Sequence, residues 1–324
     1  MILPLSRDPA LSPNRQALSH VEELIARSLQ LRVDVFTQRG ATIVDCGVKA
    51  RGGFEAGLLF SKICLGGLAD VTLQYQDFGG IVWPTVNVVT DHPVRACMAS
   101  QFAGWQLKCD SRVYVGSGPA CAVVPKGNIF AYLDYQDHSD AVILCLESAK
   151  LPTDEVIDMV CAECRCAPEN LTILVAPTAS ATGVVQVAAR TLETGLFKLR
   201  RLKYDLGKIV SGIGICPISP VAADTSNALG RTNDAISYGG TVICNVHDDD
   251  DTLRAVVGRV PTVAMPNDGL AYFELDTSAG DFYKLSPDQF NPAVIWLCNL
   301  ESGNSFSAGT IRPDVLRRSF GFQA

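Results

Sequence analysis

Two charged side chains within one helical pattern carry the strongest chemical signal in the sequence. Residues Thr182 to Leu199 place apolar side chains at helical spacing, and the same stretch contains Arg190 and Glu193. A separation of three puts both side chains on one face of a helix, next to each other. Because the flanking residues are small or apolar, we expect this pair to be more enclosed than a surface ion pair. An ordinary helix salt bridge is the alternative.

Metal and nucleophile motifs are missing from the rest of the chain. The four histidines are far apart in sequence and form neither H-x-x-x-H nor H-E-x-x-H. Cys161, Cys164 and Cys166 lie close together, but no second ligand pair follows at the spacing of a structural zinc site. The run from His247 to Asp251 is typical of a solvated turn before a helix, with a hard cation as the alternative. With no G-x-S-x-G nucleophile either, we predict no metal and no nucleophilic serine site.

Three glycine clusters invite a test for nucleotide binding. They lie at Gly47 to Gly57, Gly116 to Gly118 and Gly212 to Gly214. None matches G-x-G-x-x-G or the Walker pattern, which argues against an enzyme that uses a nicotinamide or a nucleoside triphosphate. Two interpretations of the clusters stay open, namely turns that need positive φ and close approach of a ligand to bare backbone.

The elements that must position these residues alternate between helices and strands. Periodicity predicts helices over Pro93 to Phe102 and Thr182 to Leu199, and short apolar runs predict strands that include Ile129 to Leu133, Ala141 to Leu146 and Val260 to Val263. Such alternation indicates the α/β class, with a mixed α+β fold as the alternative. The length of 324 residues suggests two domains. We place them at 1–178 and 179–324, with the Arg190 and Glu193 helix in the second, and interleaving of the two stays open.

Composition excludes several classes of protein. The 27 Lys and Arg against 34 Asp and Glu give a net charge of −7, which argues against a nucleic-acid surface. Apolar runs are broken far short of the roughly 20 residues that a membrane-spanning helix needs. Without an evident secretory signal we expect a cytoplasmic protein, in which the twelve cysteines are reduced and pack as small apolar residues. The charged fraction of 19% is low and indicates surface that subunits cover.

Five longer blocks lie in order over nearly the whole chain. They are Cys64 to Asp70, Thr90 to Trp105, Gly116 to Ala120, Val185 to Arg190 with Glu193, and Gly230 to Gly239. Together they resemble the methenyltetrahydromethanopterin cyclohydrolases, and the resemblance extends to Phe320. One departure is Cys121, where the family commonly carries Arg. If that Arg touches substrate in relatives, this protein meets a different substrate tail or uses another group.

The resemblance implies a fold, a reaction and two catalytic residues. The reaction is hydrolysis of the methenyl bridge between nitrogens 5 and 10 of a reduced pterin to the 5-formyl compound, without an organic cofactor or catalytic metal. Glu193 would act as base and then as acid, with Arg190 as its partner. The fold would be two packed α/β domains with a pocket between them, in a homo-oligomer for which a trimer is favoured. The acidic composition resembles the bacterial branch, which serves formaldehyde oxidation with a pterin that lacks the long phosphorylated tail.

The same resemblance suggests residues that bind the pterin. Asp91, Asn233 and Asp234 offer acceptors for its N–H groups, and Ser117 and Gly118 offer backbone donors. The structural alternatives are a helix cap at Asp91, a turn at Gly118 and a loop Asx motif at Asn233 and Asp234. Two other functions stay open: a protein that binds reduced pterins without hydrolysis, and a cyclohydrolase that acts on a folate carrier. Neither nucleic acid nor membrane is expected as a partner.

Overall fold

The computed structural model describes residues 11–102, 104–109, 112–265, 268–274 and 290–322. The chain forms two compact units, Met1–Asp70 with Arg95–Gln186 and Val71–Val94 with Val187–Ala324. In the described residues each unit contains a six-stranded sheet with parallel and antiparallel pairs, flanked by helices, which confirms the predicted α/β class. In these units residues 71–94 group with the C-terminal part of the chain, and residues 179–186 group with the N-terminal part.

Strands and helices alternate along the chain as follows. The strands are β1 (Asp34–Gln38), β2 (Ala41–Asp45), β3 (Asp70–Asp77), β4 (Val82–Thr90), β5 (Trp105–Cys109), β6 (Arg112–Ser117), β7 (Val142–Glu147), β8 (Leu171–Ala176), β9 (Ile209–Pro217), β10 (Thr241–Val246), β11 (Val294–Asn299) and β12 (Ser305–Gly309). The α-helices are α1 (Pro13–Ala26), α2 (Ser28–Leu31), α3 (Phe54–Cys64), α4 (Ala120–Val123), α5 (Gly127–Leu133), α6 (Asp154–Cys164), α7 (Ala181–Ala188), α8 (Thr191–Arg201), α9 (Thr225–Gly239), α10 (Asp250–Val257) and α11 (Pro313–Phe320). A π-helix covers Val94–Gln101, where the sequence predicts a helix.

The sheet of the first unit has a parallel centre. Its order is β1-β2-β8-β7-β6-β5, and β2, β8 and β7 run parallel to one another. The strands β7 and β8 are apolar and buried almost throughout, as expected where both faces of a parallel sheet are covered. The helices α1 and α3 contribute Leu24 and Phe60 to a core that includes Val44, Ile143 and Leu174 of the sheet.

Helices cover one face of the sheet of the second unit, and part of its other face is exposed. Its order is β12-β11-β10-β9-β4-β3. Burial alternates along β10 because one set of side chains faces the helices. On the opposite face a cross-strand row runs in register through Val89, Ile213, Ile243, Trp296 and Ser307. All five residues are uncharged, and Val89 and Trp296 are 49% and 40% exposed.

Two strand predictions are wrong. Ile129 to Leu133 lies in α5, which ends where Asp134 adopts a left-handed conformation with φ of 45°. Val260 to Val263 contains the start of a 3₁₀ turn, Thr262–Ala264, and no strand. Both runs are only four or five residues long, and so short an apolar run has no periodicity that distinguishes a strand from a buried turn of helix.

The cysteines are free thiols, and eight of the twelve are buried. Burial raises the pKa of the Cys244 thiol to about 12, and it raises the pKa of Cys46 further still. Their side chains therefore pack as small apolar groups, as the sequence predicts. Among the helices in the described part of the chain, none is both long enough and apolar enough to cross a membrane.

Candidate active site

A helix break creates the setting of Arg190 and Glu193. The predicted single helix from Thr182 to Leu199 is in fact α7 followed by α8, separated by a turn at residues 189–190. Arg190 N–H donates to Val187 O at 2.9 Å, and Thr194 N–H donates to Arg190 O at 2.8 Å. The Thr191 hydroxyl also donates to Ala188 O at 3.0 Å. The break contains neither Pro nor Gly, and the apolar spacing continues across it, so the periodicity did not reveal it.

Arg190 and Glu193 form an enclosed ion pair. Arg190 Nη1 donates to Glu193 Oε2 at 2.8 Å, and the two side chains are only 12% and 11% exposed. Glu193 lies in the first turn of α8, where the helix dipole favours a negative charge. Such a pair differs from solvated surface ion pairs, because less water screens the two charges. The contact and the enclosure both follow the expectation from the sequence.

Glycines allow α8 to pack closely against the sheet. Gly212 and Gly214 both lie within β9, so they are not turn residues with positive φ. A Cβ at Gly214 would lie 2.9 Å from Leu192 N, and a Cβ at Gly212 would lie 2.9 Å from both Leu192 methyl carbons. One turn further along α8, a Cβ at Gly195 would lie 3.0 Å from both methyl carbons of Val242 in β10. The backbone of α8 therefore approaches β9 and β10 closely.

Asp91 is exposed and directly follows β4 in the second unit. The cap of this turn is the neighbouring Thr90, whose Oγ1 accepts a hydrogen bond from His92 N–H at 2.9 Å. Asp91 is thus an accessible carboxylate in the same unit as Arg190 and Glu193.

Ser117 and Gly118 lie in the first unit, at the end of β6. The Ser117 hydroxyl is buried, 3.4 Å from the Cys64 thiol and 3.4 Å from Cys145 O. Gly118 has φ of 89°, as its interpretation as a turn residue requires, and its N–H donates to Ser100 O at 2.8 Å. The backbone donor predicted at Gly118 is therefore engaged within the protein.

Asn233 and Asp234 lie in α9, which the sequence analysis missed, so the loop Asx interpretation is wrong. Asn233 Nδ2 donates to Leu229 O at 2.8 Å. The buried Asp234 carboxylate accepts hydrogen bonds from Tyr272 N–H at 3.0 Å and from the Ser319 hydroxyl at 2.6 Å. Burial raises the pKa of Asp234 to about 6. This carboxyl therefore ties α9 to two later segments of its own unit.

A signal for α9 was present in the sequence. Asp224 precedes the helix and its carboxylate accepts a hydrogen bond from Asn227 N–H at 2.9 Å, which is the usual arrangement of an N-cap. Ala228, Ala235 and Ile236 follow at helical spacing and are buried. Capping and spacing read together would have predicted this helix.

Comparison with known proteins identifies the family. A family model described as "Cyclohydrolase (MCH)" matches residues 12–320. The chain is 37% identical to a protein of Methanococcoides burtonii, over 97% of this chain and 99% of that relative. It is 37% identical to one of Methanocaldococcus jannaschii, over 96% and 99%, and 38% identical to one of Methylobacillus flagellatus, over 98% of each. All three relatives are named methenyltetrahydromethanopterin cyclohydrolase.

The chain belongs to the cyclohydrolase (MCH) family. The resemblance seen in the sequence blocks is thereby confirmed over almost the full length.

This cyclohydrolase also carries a polar group that the sequence analysis did not single out. Glu147 ends the parallel strand β7, and its carboxylate accepts hydrogen bonds from the Thr178 hydroxyl and, at 3.2 Å, from Gln186 Nε2. The carboxyl ends of parallel strands are where α/β sheets most often bind ligands. A polar residue directly after the buried run Val142 to Leu146 was the available signal.

The potential metal ligands of the cyclohydrolase are dispersed. In the ranges that the structure describes, no three His, Cys, Asp or Glu side chains converge on a position for an ion. Asp249, from the acidic run before α10, is the N-cap of that helix and accepts a hydrogen bond from Thr252 N–H at 2.8 Å.

Proposed function

We propose that this chain hydrolyses the 5,10-methenyl bridge of a tetrahydromethanopterin derivative to the 5-formyl form, in one-carbon metabolism. The observation that carries this function is the enclosed Arg190–Glu193 pair in a chain that belongs to the cyclohydrolase family. The names of its relatives, which the chain matches over 96% of its length or more, support the substrate. The enzyme is then a hydrolase that acts on carbon–nitrogen bonds of a cyclic amidine.

The reaction needs a group that takes up and returns a proton. The methenyl carbon is part of an amidinium-like cation and is already electrophilic. Water adds to this carbon, and Glu193 accepts the proton that the water loses. The bond from carbon to nitrogen 10 then breaks as Glu193 returns that proton to nitrogen 10, and the hydroxyl proton passes to the solvent as the formyl C=O forms, so that one proton is released in each turnover. The step balances with water as the only co-reactant.

Arg190 serves as the partner that orients this carboxylate. Its Nη1 holds Glu193 Oε2 at 2.8 Å, which restricts how the carboxylate can turn. The guanidinium charge also disfavours a cationic substrate relative to the neutral adduct, and so favours the addition of water.

The pterin contacts are proposed residue by residue. Asp91 has the strongest support, because its carboxylate is exposed and lies in the same unit as Arg190 and Glu193. Ser117, Gly118, Asn233 and Asp234 hydrogen-bond to other parts of the protein, so we propose that they shape the binding surface around the pterin.

We further propose the dephosphorylated carrier of bacterial formaldehyde oxidation as the substrate, with the enzyme in the cytoplasm and no cofactor. Cys121 is neutral and buried, with its Sγ 3.9 Å from Gly116 O. It supports a tail without phosphate, because it supplies no cation at the position where the resemblance to the family implies Arg. A homo-oligomer, with a trimer favoured, is supported by the partly exposed, uncharged cross-strand row of the second sheet.

The test is a direct assay of the purified chain. Methenyl-tetrahydromethanopterin, its dephospho form and methenyl-tetrahydrofolate are added separately without any cofactor, and loss of the methenyl absorbance is followed. Decay with either pterin supports the assignment, and the faster pterin identifies the carrier. Decay with the folate alone favours the folate enzyme. Binding of a pterin without decay identifies a non-hydrolytic binding protein and rejects the proposed reaction.

A further inference from the structure

The residue between the two catalytic candidates packs against two glycines of the sheet. Leu192 lies in the first turn of α8, between Arg190 and Glu193, and it packs against Gly212 and Gly214 of β9. These two glycines alternate along the strand and so present the same face to the helix. Glycine is disfavoured inside a strand, because it adds no packing and loses the most conformational freedom. Two glycines opposite one turn of α8 indicate that this turn must approach β9 closely.

The two glycines do not contact the same part of Leu192. A Cβ at Gly214 would meet the backbone nitrogen of Leu192 at 2.9 Å and its Cβ at 3.0 Å. A Cβ at Gly212 would meet only the two methyl carbons of Leu192 at 2.9 Å, besides Pro93 Cβ at 3.4 Å. A leucine side chain can turn away from such a contact, whereas a backbone nitrogen moves only if the turn of helix moves. Gly214 therefore sets the distance between this turn and the sheet.

Gly195 makes an equivalent contact from the helix side. It lies two residues after Glu193, and a Cβ there would meet both methyl carbons of Val242 at 3.0 Å and its Cβ at 3.3 Å. Because valine is branched at Cβ, it cannot turn away from this contact as the end of a leucine can. The helix thus rests on the sheet at Leu192 and at Gly195, with Glu193 between the two contacts. A displacement at either one shifts the carboxylate that Arg190 holds at 2.8 Å.

We propose that Gly214, together with Gly195, is a positioning residue of the hydrolysis: by letting the first turns of α8 lie against β9 and β10, it places the Glu193 carboxylate for proton transfer. This inference rests on the proposed function. It assigns to Gly214 a role that acts through Leu192, and to Gly195 a role that acts through the contact with Val242; neither glycine touches the substrate.

The first test compares three Gly→Ala variants. Gly214→Ala should lower kcat by about 10-fold to 100-fold, because misplacing a catalytic group by a fraction of an ångström to 1 Å costs about that much. Its KM for the pterin should stay within about threefold, since a displaced base affects proton transfer more than binding. Gly212→Ala should keep kcat within about threefold, because only side-chain ends are crowded. Gly258→Ala is the control, since its Cβ would enter open space at an ordinary φ.

A rescue experiment separates positioning from general destabilisation. Gly195→Ala should lower kcat, and adding Val242→Ala should restore most of it, because the two crowded methyl groups are then gone. Val242→Ala alone should lower the melting temperature with little change in kcat. If Gly214→Ala does not fold, the Gly195 and Val242 variants decide the question.

Two results would overturn the inference. One is a folded Gly214→Ala enzyme with the kcat of the wild type. The other is a loss of kcat on Gly195→Ala that Val242→Ala does not restore. Wild-type protein that turns over none of the three methenyl carriers instead rejects the proposed function, so the two failures are distinguishable.

Discussion

Glu193 combines a hydrogen bond of 2.8 Å to Arg190 with a side chain that is 11% exposed. The proposed reaction requires this one carboxylate both to accept a proton and to return it. The amide of a glutamine has nearly the same shape and still offers an oxygen to Arg190, yet it cannot carry that proton.

Glu193→Gln should lower kcat by about 100-fold or more while the KM for the pterin changes little, as expected on loss of a general base. Stopped-flow or steady-state decay of the methenyl absorbance measures both constants. The matched control is Glu23→Gln, since Glu23 also pairs with an arginine on a helix but is 43% exposed. Near-normal turnover by Glu193→Gln would remove Glu193 from the catalytic role.

Asp234 predicts a pH dependence of stability. Burial raises its pKa from 3.8 to about 6, so the folded state favours the protonated carboxyl. Its contribution to stability is therefore fully present below pH 3.8 and is lost as the pH rises through 6. Asp234→Asn stays neutral and still has an oxygen that can accept from Tyr272 N–H. It should raise the free energy of unfolding at pH 8 by up to about 3 kcal/mol relative to wild type, and by much less at pH 4.5.

Urea unfolding at the two pH values measures this difference. Asp251→Asn is the control, because the Asp251 side chain is 93% exposed. An effect of Asp234→Asn that is the same at both pH values would contradict the assignment of a raised pKa.

At the scale of elements, Asp45 organises the loop that follows β2. Its carboxylate accepts hydrogen bonds from Gly47 N–H at 2.9 Å, Val48 N–H at 2.6 Å, Lys49 N–H at 2.7 Å and Ala50 N–H at 3.1 Å. Four successive backbone donors thus depend on one buried side chain, which holds residues 47–50 at the start of the first glycine cluster.

Asp45→Ala should lower the free energy of unfolding by about 2–4 kcal/mol, because it removes charge-assisted hydrogen bonds from several backbone donors at once. Chemical denaturation provides the measurement. Asp158→Ala is the matched control, since this carboxylate pairs with Arg39 at the surface with 54% exposure and should cost less than about 1 kcal/mol. If the two variants lost similar stability, the Asp45 interactions would not organise the loop.

Elements also show where periodicity has predictive power. The strand Ala141 to Leu146 was predicted nearly to its observed bounds, Val142–Glu147, because six apolar residues in a row are typical of a parallel strand that is covered on both faces. The helix break at residues 189–190 was not predicted, because Thr191 and Thr194 satisfy backbone carbonyls there and no Pro or Gly marks it.

At the scale of the whole molecule, the cross-strand row of the second sheet is the surface that we propose as the contact of a homo-oligomer. Trp296 lies within it and is 40% exposed. If the wild type is an oligomer, as we propose, light scattering at the same concentration should give a lower mass for Trp296→Lys than for the wild type, because a charge would then be buried at the contact. Leu29→Lys is the control, since Leu29 is 94% exposed in α2 of the other unit. An unchanged mass for Trp296→Lys would exclude this row as the contact.

The sequence by itself determined the features that depend on local spacing and composition. These are the α/β class, the contact between Arg190 and Glu193, and the burial of most cysteines. Each follows from residues a few positions apart or from the preference of one residue type for the interior.

Only the tertiary structure decided the features that depend on which distant segments meet. Residues 71–94 group with the C-terminal part of the chain because β4 pairs with β9. Asp234 connects α9 to later segments because Tyr272 and Ser319 donate hydrogen bonds to it. Gly214 contacts Leu192 because α8 packs on β9. Local spacing carries no information about such partners, since they lie from about twenty to more than a hundred residues away along the chain.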